Sequence, residues 1–213
     1  MRLLMVNPNT STESTDAFAR LARRAAAPGT EIVAVTGAFG ARLMRSPAET
    51  TIGAHAALAA IAEHVDGCDA VIIAAFGDYG VTPARDLFPV PVMGIADAAF
   101  TVLDLVSRRF AILTVGRAVV EPIRRQAHTR GLADRLTGVH VAEPIADRAA
   151  YAEAAARVAA ECLEAERPEC LLLVGPPLAA IHEELSRRLP VPALEGVSCA
   201  VKLVEALVGL GVR

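Results

Sequence analysis

Short charge-free apolar runs alternate with longer stretches of helical periodicity along this chain. Residues 1–6 (MRLLMV), apolar apart from Arg2, predict a first strand buried on both faces. Asn7-Pro8-Asn9-Thr10-Ser11 follows, a cluster of turn and cap formers, and Ala17, Phe18, Leu21 and Ala25 then recur at helical spacing. Residues 30–35 predict a second strand, and residues 36–46 a glycine-broken loop. A helix is predicted over residues 50–65, burying Ala54, Ala57, Leu58, Ile61 and Val65. Residues 71–75 (VIIAA) form a third apolar run that breaks into Phe76-Gly77-Asp78-Tyr79-Gly80. A short helix around residues 83–87 and a strand over residues 90–95 complete the series. Strand and helix alternating in this way predict a parallel sheet with right-handed crossovers, whose ligands bind at the carboxyl ends of the strands.

The second half repeats the first. Pro89/Pro190, Val90/Val191 and Pro91/Pro192 hold one offset of 101 residues, and similar helical patterns follow both copies. At that offset residues 71–75 fall on 172–176, or one residue earlier across a gap. Residues 109–116 (RFAILTVG) likewise resemble residues 1–8, and residues 170–177 (CLLLVGPP) form another apolar strand that breaks at glycine and proline. All parallel α/β units share a plain likeness, but the repeated Pro-Val-Pro favours two pseudo-equivalent lobes. The expected fold is α/β, with two pseudo-symmetric lobes, each a roughly four-stranded parallel sheet flanked by helices. The expected boundaries are 1–97 plus 196–213 for one lobe and 98–195 for the other. The last helix, residues 197–210, would cross back to the first lobe, and Ala75 and Gly175 would face each other across a shared cleft.

Composition narrows the function. Hydrophobic residues make up 54% of the 213, but aromatics only 4%, so the core is aliphatic. No apolar run approaches the ~18 residues of a membrane helix, and the first strand is too short for a signal-peptide core. The expected location is cytoplasmic. A net charge of −3 argues against nucleic acid as partner, because a nucleic-acid footprint needs clustered basic charge. The four cysteines, Cys68, Cys162, Cys170 and Cys199, lack metal or CxxC spacing and read as free thiols. No phosphate loop, dinucleotide fingerprint or metal-ligand cluster is visible, so the expected metal set is none.

Four segments together resemble a known family: residues 4–11 (LMVNPNTS), 75–80 (AFGDYG), 114–116 (TVG) and 191–201 (VPALEGVSCAV). They resemble the aspartate/glutamate racemase superfamily and, within it, the hydantoin and allantoin racemases, over nearly the whole chain. The resemblance implies an isomerase without cofactors that acts on a small molecule, hydantoin-like or amino-acid-derived, and a homo-oligomer. It also implies two cysteines, one per lobe: a thiolate removes the proton beside a carbonyl, and a thiol returns one to the opposite face. Cysteine suits this work because its pKa of about 8.5 leaves both forms accessible.

The chain departs from the family pattern at both places. Ala75 stands where A-C-F-G-D-P-G has its cysteine, and Gly175 where L-G-C-A-G-M has the second, or Pro176 if the alignment shifts by one. The existing cysteines do not fill the gap: Cys68 and Cys170 open their strands, and five strand residues span roughly 17 Å. Cys162 and Cys199 fall on predicted helices. Three explanations stand open. Ala75 is an engineered replacement of a cysteine; or the chain is a divergent member using other groups, for a one-sided decarboxylation or tautomerisation; or it is a silent small-molecule binding protein.

Other polar groups at the strand ends are candidates. Asp78 and Tyr79 are the catalytic ones, Tyr79 replacing the family's proline; the plainer alternative is a turn aspartate and a rim tyrosine. The resemblance places Asn7, Asn9, Thr114 and Gly116 in substrate contact, with Ser11 and Pro176 beside them; Gly77 and Gly80 read as letting the backbone approach a ligand in an anion-binding concavity, and Phe39 as part of a glycine-rich lid loop. Asn7 and Asn9 read alternatively as turn formers, and Thr10 and Ser11 as caps. Arg42, in the same loop as Phe39, reads as a solvated arginine, with pairing to a carboxylate as the alternative. His182 and Glu183, two helical turns past Gly175, read as surface, as does His55, while Glu195 is a weak cleft candidate.

Overall fold

In the computed structural model, residues 1–212 are described. The chain packs as two compact units, Met1–Ala98 with Val197–Arg213, and Ala99–Gly196. The first unit holds β1 (Arg2–Asn7), α1 (Thr12–Ala25), β2 (Glu31–Thr36), α2 (Pro47–His64), β3 (Ala70–Ile73), α3 (Val81–Leu87) and β4 (Val92–Gly94). The helix α4 (Ile95–Val106) then leads into the second unit. That unit holds β5 (Phe110–Thr114), α5 (Val120–Thr129), β6 (Leu136–Val141), α6 (Arg148–Glu166), β7 (Cys170–Val174), α7 (Pro176–Ala180), α8 (His182–Arg188) and β8 (Ala193–Glu195). The final helix, α9 (Gly196–Gly209), returns the chain to the first unit. Each unit carries a four-stranded parallel sheet, ordered β2-β1-β3-β4 and β6-β5-β7-β8.

The central strands are buried on both faces, as their unbroken apolar runs require: Leu3–Val6 and Val71–Ile73 have no exposure. Leu4, Val6, Val71 and Ile73 pack with Ala57 and Ile61 of α2. In the second unit Ala111, Leu113, Leu171 and Leu173 pack with Ala155 and Ala159 of α6. No helix among the described residues is long and apolar enough to cross a membrane.

Several boundaries differ from expectation. Helix α2 begins at Pro47 rather than at residue 50, because Ser46 and Glu49 form a capping box and Pro47 fits the first turn. Its buried face is Gly53, Ala56, Ala57, Ala60 and Ile61; Ala54, Leu58 and Val65 are only half-buried. The ladder of β3 ends at Ile73, so Ala74 and Ala75 already belong to the loop. β4 shortens to Val92–Gly94, with Pro91 contributing its carbonyl to Val71 N–H at 2.9 Å.

Register decides the internal repeat. Ile73 pairs with Val6 and Gly94, while Leu173 pairs with Leu113 and Glu195. The Pro91 carbonyl bonds Val71 N–H and the Pro192 carbonyl bonds Leu171 N–H, both at 2.9 Å. The central strands therefore match at an offset of 100, one less than the Pro-Val-Pro offset. Ala75 and Gly175 occupy equivalent places, each two residues past the matched ladder positions. Asn7 is likewise matched by Thr114.

Candidate functional site

The loop after β1 is bonded largely to itself. Asn7 is fully buried, and its Nδ2 lies 2.9 Å from Asn9 Oδ1, 3.1 Å from Ser11 O and 3.0 Å from Thr15 Oγ1. Asn9 Oδ1 also accepts from Ser11 N–H at 2.9 Å, and Ser11 Oγ caps α1 by accepting from Ser14 N–H at 3.2 Å. Thr10 N–H donates to Ala41 O at 3.2 Å. Thr15 reaches Thr36 Oγ1 on β2 at 2.7 Å. Thr15 escaped the sequence reading, although its place four residues after Ser11 puts it on the helix face turned to the loop.

The loop after β3 is a tight turn hung on Ala75, whose carbonyl accepts from Gly77 N–H at 2.8 Å and Asp78 N–H at 3.0 Å. Asp78 takes a left-handed conformation, with φ of 52°. Its Oδ1 accepts from Ala96 N–H at 3.0 Å and its Oδ2 from Asp97 N–H at 2.7 Å. The carboxylate thus caps the first turn of α4, where free N–H groups and the helix dipole favour negative charge. Gly94 makes room for it: a Cβ there would stand 2.2 Å from Asp78 Oδ1. Asp78 is therefore engaged as an anchor.

Tyr79 lies over Gly77, where a Cβ would meet its ring at 2.1 Å, so this tyrosine, rather than a ligand, fills the space that glycine leaves. Burial, with the Asp78 charge adding to it, raises the phenol's pKa, so Tyr79 keeps its proton at neutral pH and is no base there. Gly80, with φ of 89°, starts α3 and approaches the backbone of Ala54.

The matched strand ends of the second unit are less furnished. Thr114 is fully buried, and its hydroxyl has no hydrogen-bond partner among the described residues. Gly116, with φ of 76°, borders open space. Gly175 has φ of 113° and ψ of 148°, and Pro176 opens α7 directly after it. A Cβ on Gly175 would stand 2.7 Å from Val115 Cγ2. Side chains are strained in that backbone region whatever the space around them.

The remaining candidates are placed as follows. Phe39, 39% exposed, meets His55 edge-on with ring centroids 5.2 Å apart. Arg42 is not simply solvated: it pairs with Glu13 at 2.8 Å, and the bond holds that carboxyl below its ordinary range. His182 is half-buried, its Nε2 bonded to Ala193 O at 2.9 Å, which ties α8 to β8 and corrects its reading as surface. Glu183 is exposed, and Glu195 is buried at the end of β8.

All four cysteines are buried free thiols. Cys68 precedes β3, Cys170 opens β7, Cys162 lies within α6 and Cys199 in the first turn of α9. Burial pushes the Cys170 thiol up to about 11; burial and the Glu166 charge push Cys162 up to about 12. Cys68 is raised by burial as well. Such thiols are poor bases near neutral pH.

The description of one family, Asp/Glu/Hydantoin racemase, matches residues 3–204. The chain belongs to the Asp/Glu/Hydantoin racemase family. Among curated members it is 29% identical to the hydantoin racemase of Paenarthrobacter aurescens, an alignment covering 99% of this chain and 92% of that one. Among solved structures it is similar to the allantoin racemase from Klebsiella pneumoniae, with a TM-score of 0.93 and 33% identity over 100% of this chain and 89% of that one. The allantoin racemase from Pseudomonas fluorescens gives 0.91 and 32%, over 100% and 93%. The racemase-family fold, two parallel sheets of equal strand order flanked by helices, is thus the fold of this chain.

One grouping in this family member runs against the expectation that no metal-ligand cluster exists. His140 on β6 and Cys162 and Glu166 on α6 bring their donor atoms within 4.8 Å of one another. Their spacing in the chain gave no signal, since strand and helix supply them separately.

Proposed function

We propose that this protein is a hydantoin-racemase-like, isomerase-type member of its family that binds a hydantoin-like or other α-substituted carbonyl compound without the family's pair of thiols. The observation that carries the reading is the register that matches Ala75 with Gly175 in a chain of this family: neither position has an ionisable group. The resemblance puts one cysteine at Ala75 and the other at Gly175, or at Pro176 if the alignment shifts by one, and two-base racemisation needs an acceptor and a donor on opposite sides of one carbon. Asp78 is occupied by the α4 N-terminus and Tyr79 stays protonated, so neither replaces a thiolate as base.

The reading includes no cofactor and a homo-oligomer, both resting on family likeness, and a cytoplasmic location, resting on the short apolar runs of the sequence. Its second form is a silent binding protein, favoured by the backbone at Gly175, which side chains do not readily adopt. A one-sided lyase or tautomerase is the third form, drawing on a group outside the two family positions.

The relatives named for hydantoin and allantoin supply the test set, because allantoin is itself a substituted hydantoin. The protein is mixed with 5-substituted hydantoins and allantoin in deuterated water. Exchange of the hydrogen on C5 is followed by NMR, and binding by ligand-dependent melting. The expected result is binding of at least one compound without enzymatic loss of optical rotation; exchange faster than in buffer supports one-sided chemistry, and exchange at the buffer rate supports the silent binding form. Loss of optical rotation at an enzymatic rate would overturn the absence of thiol-pair chemistry, and binding of none would overturn the substrate class.

A further inference from the structure

The strongest grouping outside the strand ends lies in the second unit, between the edge strand β6 and the last turns of α6. His140 Nε2 is 3.0 Å from Glu166 Oε1, and Cys162 Sγ is 3.8 Å from Glu166 Oε2. Thr137 Oγ1 lies 2.7 Å from Glu166 Oε2 and 3.3 Å from Phe110 O, holding the carboxylate from behind. Cys162 is buried, while the His140 and Glu166 side chains are 28% and 25% exposed.

A glycine makes this cluster possible. A Cβ on Gly138 would stand 2.4 Å from Glu166 Oε1 and 2.6 Å from His140 Nε2, so the space the donors face is one that any other residue would fill. Gly138 and Thr137 also line a cavity of about 190 Å³ with Arg124, Ala133 and Leu136. Thr137 and Gly138, which neighbour the donors, thus also border a space large enough for water.

We propose that His140 Nε2, Cys162 Sγ and Glu166 form a site for a zinc-class divalent ion, with water from the adjoining cavity in the fourth position. Zinc takes nitrogen, sulfur and oxygen donors at about 2.0–2.3 Å in a tetrahedron, which places donors roughly 3.3–3.8 Å apart. The separations of 3.0 and 3.8 Å run to different oxygens of Glu166, and the three donor atoms lie within 4.8 Å of one another, so side-chain shifts of up to about an ångström close the site. A mixed soft and hard donor set excludes calcium and magnesium, which want oxygen alone. The charges balance as well: one thiolate and one carboxylate neutralise a doubly charged ion, with His140 neutral and its proton on Nδ1. Binding transfers the Cys162 proton to solvent, one per ion, and the metal replaces the hydrogen bonds now made to Glu166. Thr137 then orients the carboxylate from the outer shell.

The site stands apart from the strand ends of the same unit. Glu166 ends α6, and Thr137 lies beside Phe110, the first residue of β5, whereas Thr114 ends that strand. An ion here clamps β6 to α6 and takes no part in the chemistry proposed above.

The test uses the full-length protein, stripped with chelator and then titrated with cobalt(II) and, in competition with a chromophoric chelator, with zinc(II). One equivalent should bind, with a near-ultraviolet thiolate-to-cobalt charge-transfer band. His140→Ala should weaken zinc binding at least about tenfold, and Cys162→Ser should abolish the band. Gly138→Ala, which keeps all three donors, should block the site. Circular dichroism reports whether each variant is folded. If Cys162→Ser fails to fold, His140→Ala decides, since that ring is partly exposed and outside the core. No charge-transfer band with the parent protein, a band that persists in folded Cys162→Ser, or unchanged affinity in His140→Ala would each overturn the site.

Discussion

The first unit ends its central strands in a finished polar shell; the second ends the matched strands almost bare. Asn7 satisfies its buried amide through Asn9, Ser11 and Thr15, whereas Thr114, its counterpart in register, buries a hydroxyl with no partner among the described residues. Ala75 has a side chain and a turn built on its carbonyl, while Gly175 sits at a φ of 113° with a helix starting on the next residue. In the proposed reading, the two thiol positions were therefore emptied in different ways. One position holds a side chain on ordinary backbone, and the other a glycine on backbone that side chains do not readily adopt. The first is reversible by a single substitution, and the second is not.

The largest expected effect tests that asymmetry directly. Ala75→Cys should raise exchange of the C5 hydrogen of a bound hydantoin by about 10²–10⁴-fold, the contribution of one positioned acid–base group. The new thiolate takes the hydrogen as a proton, leaving an enolate, and returns deuterium to the same face, so exchange should run ahead of racemisation. Ala75→Ser should gain far less, because a hydroxyl needs a partnered base. Gly175→Cys should gain nothing. If both cysteine variants gained equally, the backbone difference between the two loops would be without consequence.

Next come the anchors of the first unit. Asp78→Ala removes both hydrogen bonds to the α4 N-terminus and leaves those N–H groups uncapped, which should cost about 2–3 kcal/mol in urea denaturation. Asn7→Ala should cost about 1–3 kcal/mol, since the Ser11 carbonyl and the Thr15 hydroxyl lose their common donor. Costs under about 0.5 kcal/mol for both would mean that water substitutes for the shell, and the contrast with Thr114 would lose its meaning.

Much of this was legible in the sequence. Charge-free runs such as residues 71–73 announce strands buried on both faces, and the repeated Pro-Val-Pro announces the second sheet. The family was readable from the NPNTS and FGD segments, and its description covers residues 3–204. What stayed hidden were relations between distant residues. That Asp78 caps α4 depends on Gly94 lacking a side chain, and neither residue signals the other. The capping box at Ser46 was in plain view as Ser-x-x-Glu, yet the glycine-rich stretch before it masked the helix start. The offset of 100 or 101 also waited on strand register, since a one-residue gap is invisible among interchangeable aliphatic residues. His140, Cys162 and Glu166 meet only because α6 packs across β6.

A smaller effect exchanges the two residues in question. Gly175→Ala should destabilise the protein by about 1–3 kcal/mol, because its φ suits glycine and Val115 must give way. Ala75→Gly, at a position that already accommodates a side chain, should cost only about 0.4–1 kcal/mol through the greater freedom of the unfolded chain. Denaturation midpoints at unchanged m-value give both numbers. The reverse order would show that the Ala75 loop, not the Gly175 loop, is the strained one.

The smallest effect concerns Thr114 and should have opposite signs in two measurements. Thr114→Val keeps the shape of the side chain and the β-branching that suits a strand end, but removes the hydroxyl. A buried hydroxyl without a partner destabilises the free protein, so the valine variant should be as stable as the parent or more stable by up to about 1 kcal/mol. The Asn7 position cannot behave this way, because its amide is bonded on every side. If the Thr114 hydroxyl meets a polar group of the bound hydantoin, as the family resemblance implies, the same substitution should weaken binding. A single net hydrogen bond of about 0.5–1.5 kcal/mol corresponds to roughly a 2- to 13-fold rise in Kd. Stability is read from urea denaturation and affinity from calorimetry on the same preparations. A stability loss above about 1 kcal/mol would show that water or a neighbouring copy satisfies the hydroxyl in solution, and the bareness of the second strand end would then be only apparent. Unchanged stability with unchanged affinity would remove Thr114 from the binding site and leave the first unit's loops to hold the ligand.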